Sequence, residues 1–126
     1  MLTIEQIIKI HDSGVTVNFS DETSEMKGCY DPSTTKITIF SNSLNSEEDY
    51  HITLLHEFIH AKDDLFYDNK EINDHLSGLV SNNPYNGNKS FYERDTEKES
   101  LTVYNNMSHI LDFIKKIYEL DLYCEK

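Results

Sequence analysis

The sequence is poor in basic residues and in cysteine. Its 126 residues include 11 Lys and Arg against 23 Asp and Glu, which gives a formal net charge of −12. Nucleic acids are bound by clustered positive charge, so this balance argues against a nucleic-acid-binding surface. The two cysteines, Cys29 and Cys124, match no metal-ligand spacing such as CxxC, and we interpret them as reduced thiols of a cytosolic protein. A single disulfide between them is the alternative.

Long apolar runs are also missing. No stretch of about 18 apolar residues occurs, so we expect no membrane-spanning helix. The N-terminus has no basic segment followed by an apolar run and small residues, so we expect no secretory signal. The length predicts one domain, residues 1–126, in the cytoplasm. The sequence does not predict the oligomeric state.

Hydrophobic periodicity in the first forty residues predicts one short helix followed by strands. Thr3 to Ile10 is amphipathic, and Thr3 with Gln6 forms a capping box at its start. Segments that alternate with period two, or are rich in β-branched residues, predict three strands at 15–19, 26–30 and 35–40. Gly28 in the second strand predicts a bulge or a close backbone approach. We expect these strands to form a small twisted antiparallel sheet.

Helical patterns dominate the second half. Ser46 is a candidate N-cap for a helix from Tyr50 to about Leu65, and apolar residues on more than one side predict its burial. Residues 67–90 are weakly patterned. A last helix is expected to begin near Ser90 or Phe91 and to continue to about Leu120 as the longest element. The predicted fold is therefore α+β, with the sheet packed on the first long helix and a long C-terminal helix behind it.

That first long helix carries the pattern HExxH, at His56, Glu57 and His60. Two histidines four residues apart on a helix present their imidazoles on one face, where both reach one Zn²⁺. The glutamate that follows the first histidine is placed to act as general base on a water at the metal. Apolar flanks favour a metal site, because burying this polar trio without a partner is costly.

A catalytic zinc takes a third protein ligand. The pattern HExxHxxGxxH fails here, since Asp63 stands at its glycine and Phe66 at its histidine. Candidates therefore lie further along the chain. Glu97 shares the core-facing stripe of the last helix and is the first choice, Glu93 one turn earlier is the second, and His75 is the rival outside that helix.

Other side chains are candidates for supporting roles. Glu99 is rotated away from the stripe and is a weaker ligand candidate. Asp63 and Asp64 are interpreted as partners of a ligand imidazole or as a solvated helix end. An oxyanion donor is also needed, and the candidate tyrosines are Tyr85, Tyr92 and Tyr104.

Three segments, 28–32, 36–39 and 54–61, resemble the core of small zincin metallopeptidases of the gluzincin type. The layout is similar to that of the ImmA/IrrE-like enzymes and related phage or mobile-element metallopeptidases. The segment 92–100 resembles their later ligand helix, with Glu97 at the ligand position and Ser100 where an alanine is usual. The resemblance implies a zinc-dependent peptidase acting on peptides or proteins. It also implies that Ile37 to Phe40 lies near the cleft, where an extended peptide pairs with it.

A function from another class competes with this one. A zinc-binding regulatory or inhibitor protein that keeps the zincin fold without turnover is compatible with the net charge of −12. Such an acidic surface suits a basic partner. Glu57 favours catalysis, because a structural metal site needs no base and normally has four protein ligands.

Overall fold

The structure is a computed structural model that describes residues 1–66 and 91–120, with the backbone alone at 91–94. In chain order the described elements are α1 (Ile4–Asp12), β1 (Thr16–Ser20), β2 (Gly28–Asp31), β3 (Lys36–Phe40), a 3-10 turn (Ser41–Ser43), α2 (Glu47–Phe66), α3 (Phe91–Asn106) and α4 (Ser108–Ile117). The predicted α+β class is confirmed. Within the described ranges, no helix has both the length and the apolar character needed to cross a membrane.

Local sequence signals determine how α1 begins and ends. The Thr3 hydroxyl accepts a hydrogen bond from the Gln6 backbone at 3.2 Å, and the Gln6 side chain accepts one from the Thr3 backbone at 2.9 Å. This is the predicted capping box. Gly14 follows the helix with φ of +90°, a left-handed conformation that glycine adopts without a Cβ penalty. The chain thereby turns directly into β1.

The sheet is mixed, so the prediction of an antiparallel sheet is wrong for one of its two pairings. The strand order is β1-β3-β2, with β1 parallel to β3 and β2 antiparallel to β3. The chain reverses once between β1 and β2 and again between β2 and β3, so β1 and β3 run in the same direction. β3 enters between the other two because it is the most apolar strand, with Ile37 and Ile39 fully buried. Periodicity reveals strands but not their order.

The central place of β3 also corrects the expectation that a peptide pairs with Ile37 to Phe40. Both edges of β3 are already hydrogen-bonded, to β1 on one side and β2 on the other. Among the described strands, β2 pairs with β3 alone, and it lies against α2. An incoming strand near α2 therefore meets the outer edge of β2.

The helix α2 is the buried centre of the fold, as predicted. Ser46 accepts a hydrogen bond from the Asp49 backbone at 3.0 Å, which confirms it as the N-cap. Glu47, Glu48 and Asp49 occupy the first turn, where the helix dipole favours acids. Most residues between Tyr50 and Asp63 are buried, including Leu54, Leu55, Phe58 and Ile59. The HExxH segment therefore lies in a largely buried stretch of this helix.

The predicted single C-terminal helix is wrong, because the chain breaks at Met107. Met107 has φ of −136° and ψ of 51°, which lie outside the helical region. The preceding Asn105 and Asn106 are weak helix formers. The break lets α4 return to α1 and bury Ile110 and Ile114, which a straight helix would carry away from the core.

His51 on α2 makes the stability of the fold depend on pH. Burial, and then the ammonium of Lys115, lower the pKa of His51 below its ordinary value, and Lys115 Nζ lies 3.4 Å from His51 Nε2. The unfolded chain therefore binds a proton here more readily than the folded protein. The contribution of neutral His51 to the free energy of unfolding is fully present above the unfolded pKa of about 6.5. It is lost as the pH falls below that value.

Urea unfolding at pH 7.5 and pH 5.5 tests this expectation. Wild type is expected to lose more unfolding free energy between the two conditions than His51→Gln, which cannot take up the proton. The other titrating groups are common to both proteins and cancel in the comparison. Equal losses in the two proteins would contradict the assignment to His51.

Candidate functional site

The helix α2 brings the two motif histidines together. Nε2 of His56 and Nε2 of His60 lie 3.0 Å apart, and the ring centroids are 4.6 Å apart in an edge-to-face arrangement. His60 is buried and His56 is half-buried. The spacing of four residues places both imidazoles on one face within one turn. Both ring nitrogens therefore point at the same small volume.

The distance between these nitrogens fits two ligands of one zinc ion. Two imidazole nitrogens that bind a tetrahedral Zn²⁺ at 2.0–2.1 Å are about 3.3 Å apart. The 3.0 Å separation in this protein differs from that value by a few tenths of an ångström. A small opening of the pair is enough to admit the ion. The donor pair therefore fits zinc.

A cavity of about 300 Å³ opens beside His56, while His60 is not among its lining residues. Its lining comes from α2, α3, β2 and the chain before β2, and consists of Glu25, Lys27, Gly28, Asp49, Ile52, Thr53, His56, Glu57 and Glu97. The structure thus brings the candidate ligand Glu97 to the same cavity as His56 and Glu57. Among the residues that the structure describes, however, no group of three or more His, Cys, Asp or Glu side chains is arranged to hold a metal ion. The third ligand stays a prediction.

Gly28 allows β2 to pack closely against the motif. A Cβ at this position would lie 2.9 Å from the Thr53 methyl carbon, 3.2 Å from the Thr38 carbonyl oxygen and 3.3 Å from Cγ of Glu57. Any larger residue would push the strand away from α2. The predicted close backbone approach is confirmed, and it presses the side chain of Glu57 between the strand and the helix.

Cys29 follows Gly28 in β2 but is not among the residues that line the cavity. Burial raises the pKa of the Cys29 thiol, and the nearby Glu57 carboxylate raises it further. A thiol that resists ionisation is a poor nucleophile and a poor metal ligand at neutral pH. Cys29 is a free cysteine, while Cys124 lies outside the described residues. Cys29 is therefore not a candidate ligand or nucleophile, and His56, Glu57 and His60 stay the candidates.

The acids after the motif tie elements together. Asp64 accepts a hydrogen bond of 2.7 Å from the hydroxyl of Tyr30, so it joins α2 to β2. Burial, and then this hydrogen bond, raise the pKa of the Tyr30 hydroxyl. Asp63 is buried, and its Oδ1 lies 3.9 Å from Nζ of Lys62. The hydrogen bond of Asp64 is therefore with a tyrosine of β2 and not with a motif histidine, as the predicted imidazole partnership requires.

Lys62 is a residue that the sequence patterns did not identify. It is only 3% exposed, and its ammonium lies 2.7 Å from Oε2 of Glu99. Glu99, the weakest of the ligand candidates on the last helix, is therefore bound to a lysine. Several polar residues are buried along this helix, including Thr53 and Asp63, so the sequence alone does not mark Lys62 as buried.

Of the remaining candidate oxyanion donors and zinc ligands, the structure describes the side chain of Tyr104 alone. Tyr104 lies with its ring centroid 6.4 Å from that of His51 and is not among the described residues that line the cavity. His75 and Tyr85 lie outside the described residues, as do the side chains of Tyr92 and Glu93. The structure therefore does not test His75 and Glu93 as zinc ligands, or Tyr85 and Tyr92 as oxyanion donors.

Comparisons with known proteins identify no relative. The chain matches no family model, no curated protein and no solved structure. The resemblance to gluzincin metallopeptidases therefore rests on the sequence segments alone, and the site has to be argued from its own geometry.

Proposed function

We propose that the protein is a zinc-dependent metallopeptidase, with His56 and His60 as metal ligands and Glu57 as general base. The observation that carries the proposal is the 3.0 Å approach of the two Nε2 atoms, next to a glutamate that lines a cavity. A bound zinc ion supplies a coordinated water of lowered pKa and polarises the scissile carbonyl. The proposed fold is a minimal zincin-like domain in which the mixed sheet packs on α2.

Glu57 has the position that the base requires. Glu57 is 5% exposed, and it lines the cavity next to β2. In the proposed reaction its carboxylate takes the proton of the attacking water and passes it to the leaving amine. Partial exclusion of water around the carboxylate strengthens its electrostatic interactions with the reacting groups. The close packing at Gly28 holds the side chain in this place.

The third ligand is proposed to come from α3. Glu97 lines the cavity together with His56, and it projects from the helix that packs along α2. Glu93, one turn earlier on α3, and His75 are the alternatives. Glu99 is not proposed, because its carboxylate is bound to Lys62 and to the backbone amide of Leu2.

The substrate is proposed to be a peptide or a protein segment in extended form. The strand β2 lies beside the cavity, since Gly28 belongs both to this strand and to the cavity wall, and the edge of β2 that does not pair with β3 is proposed to receive the peptide. Strand addition to that edge gives main-chain hydrogen bonds without any sequence requirement. This replaces β3, which has no open edge, as the strand that receives the peptide.

Zinc binding tests the ligand assignment. Wild type is expected to bind one zinc ion per chain, measured by metal analysis and by competition with a chromogenic chelator. His60→Ala is expected to lose binding, since it removes half of the histidine pair. Of Glu97→Ala, Glu93→Ala and His75→Ala, the one that loses zinc identifies the third ligand, and the other two serve as controls.

Two outcomes would contradict the proposal. Wild type that binds no zinc at micromolar concentration excludes the metal site, and His60→Ala that binds like wild type excludes the histidine pair. Zinc binding without cleavage of any peptide in a mixed library favours the second function, a regulatory or inhibitor protein. The acidic surface behind the net charge of −12 is the observation that supports that alternative.

A further inference from the structure

We propose that Lys62 and Glu99 are a pair of positioning residues that set the rotation of α3 about its axis and so aim its cleft-facing glutamate at the motif histidines. This inference rests on the proposed function, since it concerns how the third ligand is presented. Neither residue touches the substrate or the metal in the proposed site. Their effect is transmitted through the helix that both Glu97 and Glu99 belong to.

The contact between the two residues is short and buried. Lys62 Nζ lies 2.7 Å from Glu99 Oε2, and the exposed side-chain fractions are 4% for the lysine and 20% for the glutamate. The same oxygen accepts a hydrogen bond of 2.9 Å from the backbone amide of Leu2. Charge-assisted hydrogen bonds of this kind are directional and strong when water is largely excluded. The carboxylate of Glu99 is therefore fixed between α2 and the N-terminal segment.

On α3 the two glutamates lie on opposite sides of the face that packs against α2. That face is formed by the buried residues Thr96, Ser100 and Val103. At 3.6 residues per turn, Glu97 lies about 90° to one side of its centre and Glu99 about 70° to the other side. Glu97 accordingly lines the cavity, while Glu99 reaches Lys62.

The partner helix has the matching arrangement. His56 and Lys62 lie about 120° apart around α2, and the buried Ile59 lies between them. One flank of the contact between α2 and α3 therefore holds the histidine side of the cavity, and the other flank holds the ion pair. A constraint on one flank determines the orientation of the side chain on the other.

Two of the three residues of the packing face are small. Ser100 is fully buried and Thr96 nearly so, and such small side chains let the helices approach without deep interlocking ridges. A rotation of about 20° moves a carboxylate at a radius of about 5.5 Å by about 2 Å. Metal sites tolerate deviations of only about 0.2 Å in ligand distance. Holding α3 against such a rotation is the role assigned to Lys62 and Glu99.

Zinc affinity of the full chain tests the inference. Lys62→Met and Glu99→Gln are each expected to weaken zinc binding by about 10- to 100-fold, as the loss of a residue that orients a ligand does. Lys116→Met is the matched control, because it makes the same change in net charge at an exposed position of α4 and touches neither α3 nor the cavity. It is expected to bind zinc within about threefold of wild type.

A second control separates positioning from loss of stability. Ile114→Ala removes buried volume from α4 and lowers stability without touching the ion pair. All affinities are measured without denaturant, where each variant is shown by circular dichroism to be folded. If Lys62→Met and Glu99→Gln bind zinc no more weakly than Ile114→Ala does, the inference is wrong.

Hydrogen exchange of the metal-free protein gives a readout that does not depend on zinc. Lys62→Met is expected to speed exchange of the α3 amides between 97 and 103 more than Lys116→Met does. Equal protection in the two variants would overturn the positioning role. Wild type that binds no zinc but shows the difference in exchange would leave the rotational constraint standing while the proposed function fails.

Discussion

Glu57→Gln is expected to lower kcat/KM for peptide cleavage by about 10²- to 10⁴-fold, the range that a general base contributes. Zinc affinity is expected to stay within about threefold of wild type. The substitution replaces one carboxylate oxygen by an amide group and changes little in shape. A neutral amide cannot take a proton from the attacking water, so the step that Glu57 performs is lost while the histidine pair is retained.

The packing around Glu57 makes glutamine the right replacement. A Cβ on Gly28 would lie 3.3 Å from Cγ of Glu57, so the glutamate fills space between β2 and α2. Alanine at position 57 would remove both the base and this packing, and the two losses could not be separated. Glutamine keeps the volume, so a fall in turnover reports on proton transfer.

Glu48→Gln is the matched control for this measurement. Glu48 is exposed in the first turn of the same helix, and its replacement makes the same change in net charge without touching the cavity. Activity and zinc content of this variant are expected to equal those of wild type. Glu57→Gln that cleaves peptides at the wild-type rate would exclude the base. Loss of zinc together with activity would assign Glu57 to metal binding instead.

The parts of the fold that could be read from the sequence are those that depend on neighbouring residues. The capping box of Thr3 and Gln6, and the cap at Ser46, are hydrogen bonds across three residues, and both are present in the structure. The histidine pair depends on a separation of four residues within one helix. Local spacing is sufficient for these features because the helix itself supplies the geometry.

The parts that could not be read depend on residues far apart in the chain. The parallel pairing of β1 with β3 arises because β3 occupies the middle of the sheet. The hydrophobic alternation within each strand would be the same if β2 were in the middle, so it does not predict the order. The ion pair of Lys62 with Glu99 spans 37 positions, and nothing near either residue announces the other. The break at Met107 is decided by the burial of Ile110 and Ile114 against distant parts of the core.

Phe58→Ala is expected to lower the free energy of unfolding by about 3–5 kcal/mol, the range for loss of a buried phenylalanine side chain. Phe58 lies between the two motif histidines in the sequence, but its side chain is fully buried on another face of α2. Its ring meets that of Tyr118 edge-to-face at 5.3 Å. The Tyr118 hydroxyl in turn donates a hydrogen bond of 2.8 Å to the carbonyl oxygen of Val15.

The loss is expected to be large because one ring connects three parts of the fold. Phe58 on α2 supports Tyr118 after α4, and Tyr118 holds the chain just before β1. Removal of the ring leaves a cavity at this junction and takes away the packing partner of the tyrosine. A typical domain has a total stability of about 5–15 kcal/mol, so the variant is expected to be marginally folded at best.

Urea unfolding followed by circular dichroism measures this effect, with Leu101→Ala as the control. Leu101 lies on α3 and is 42% exposed, so its truncation is expected to cost less than about 1 kcal/mol. Phe58→Leu keeps most of the buried volume and is expected to fall between the two. If Phe58→Ala and Leu101→Ala unfold at the same urea concentration, the junction of α2 with Tyr118 is not part of the folded core.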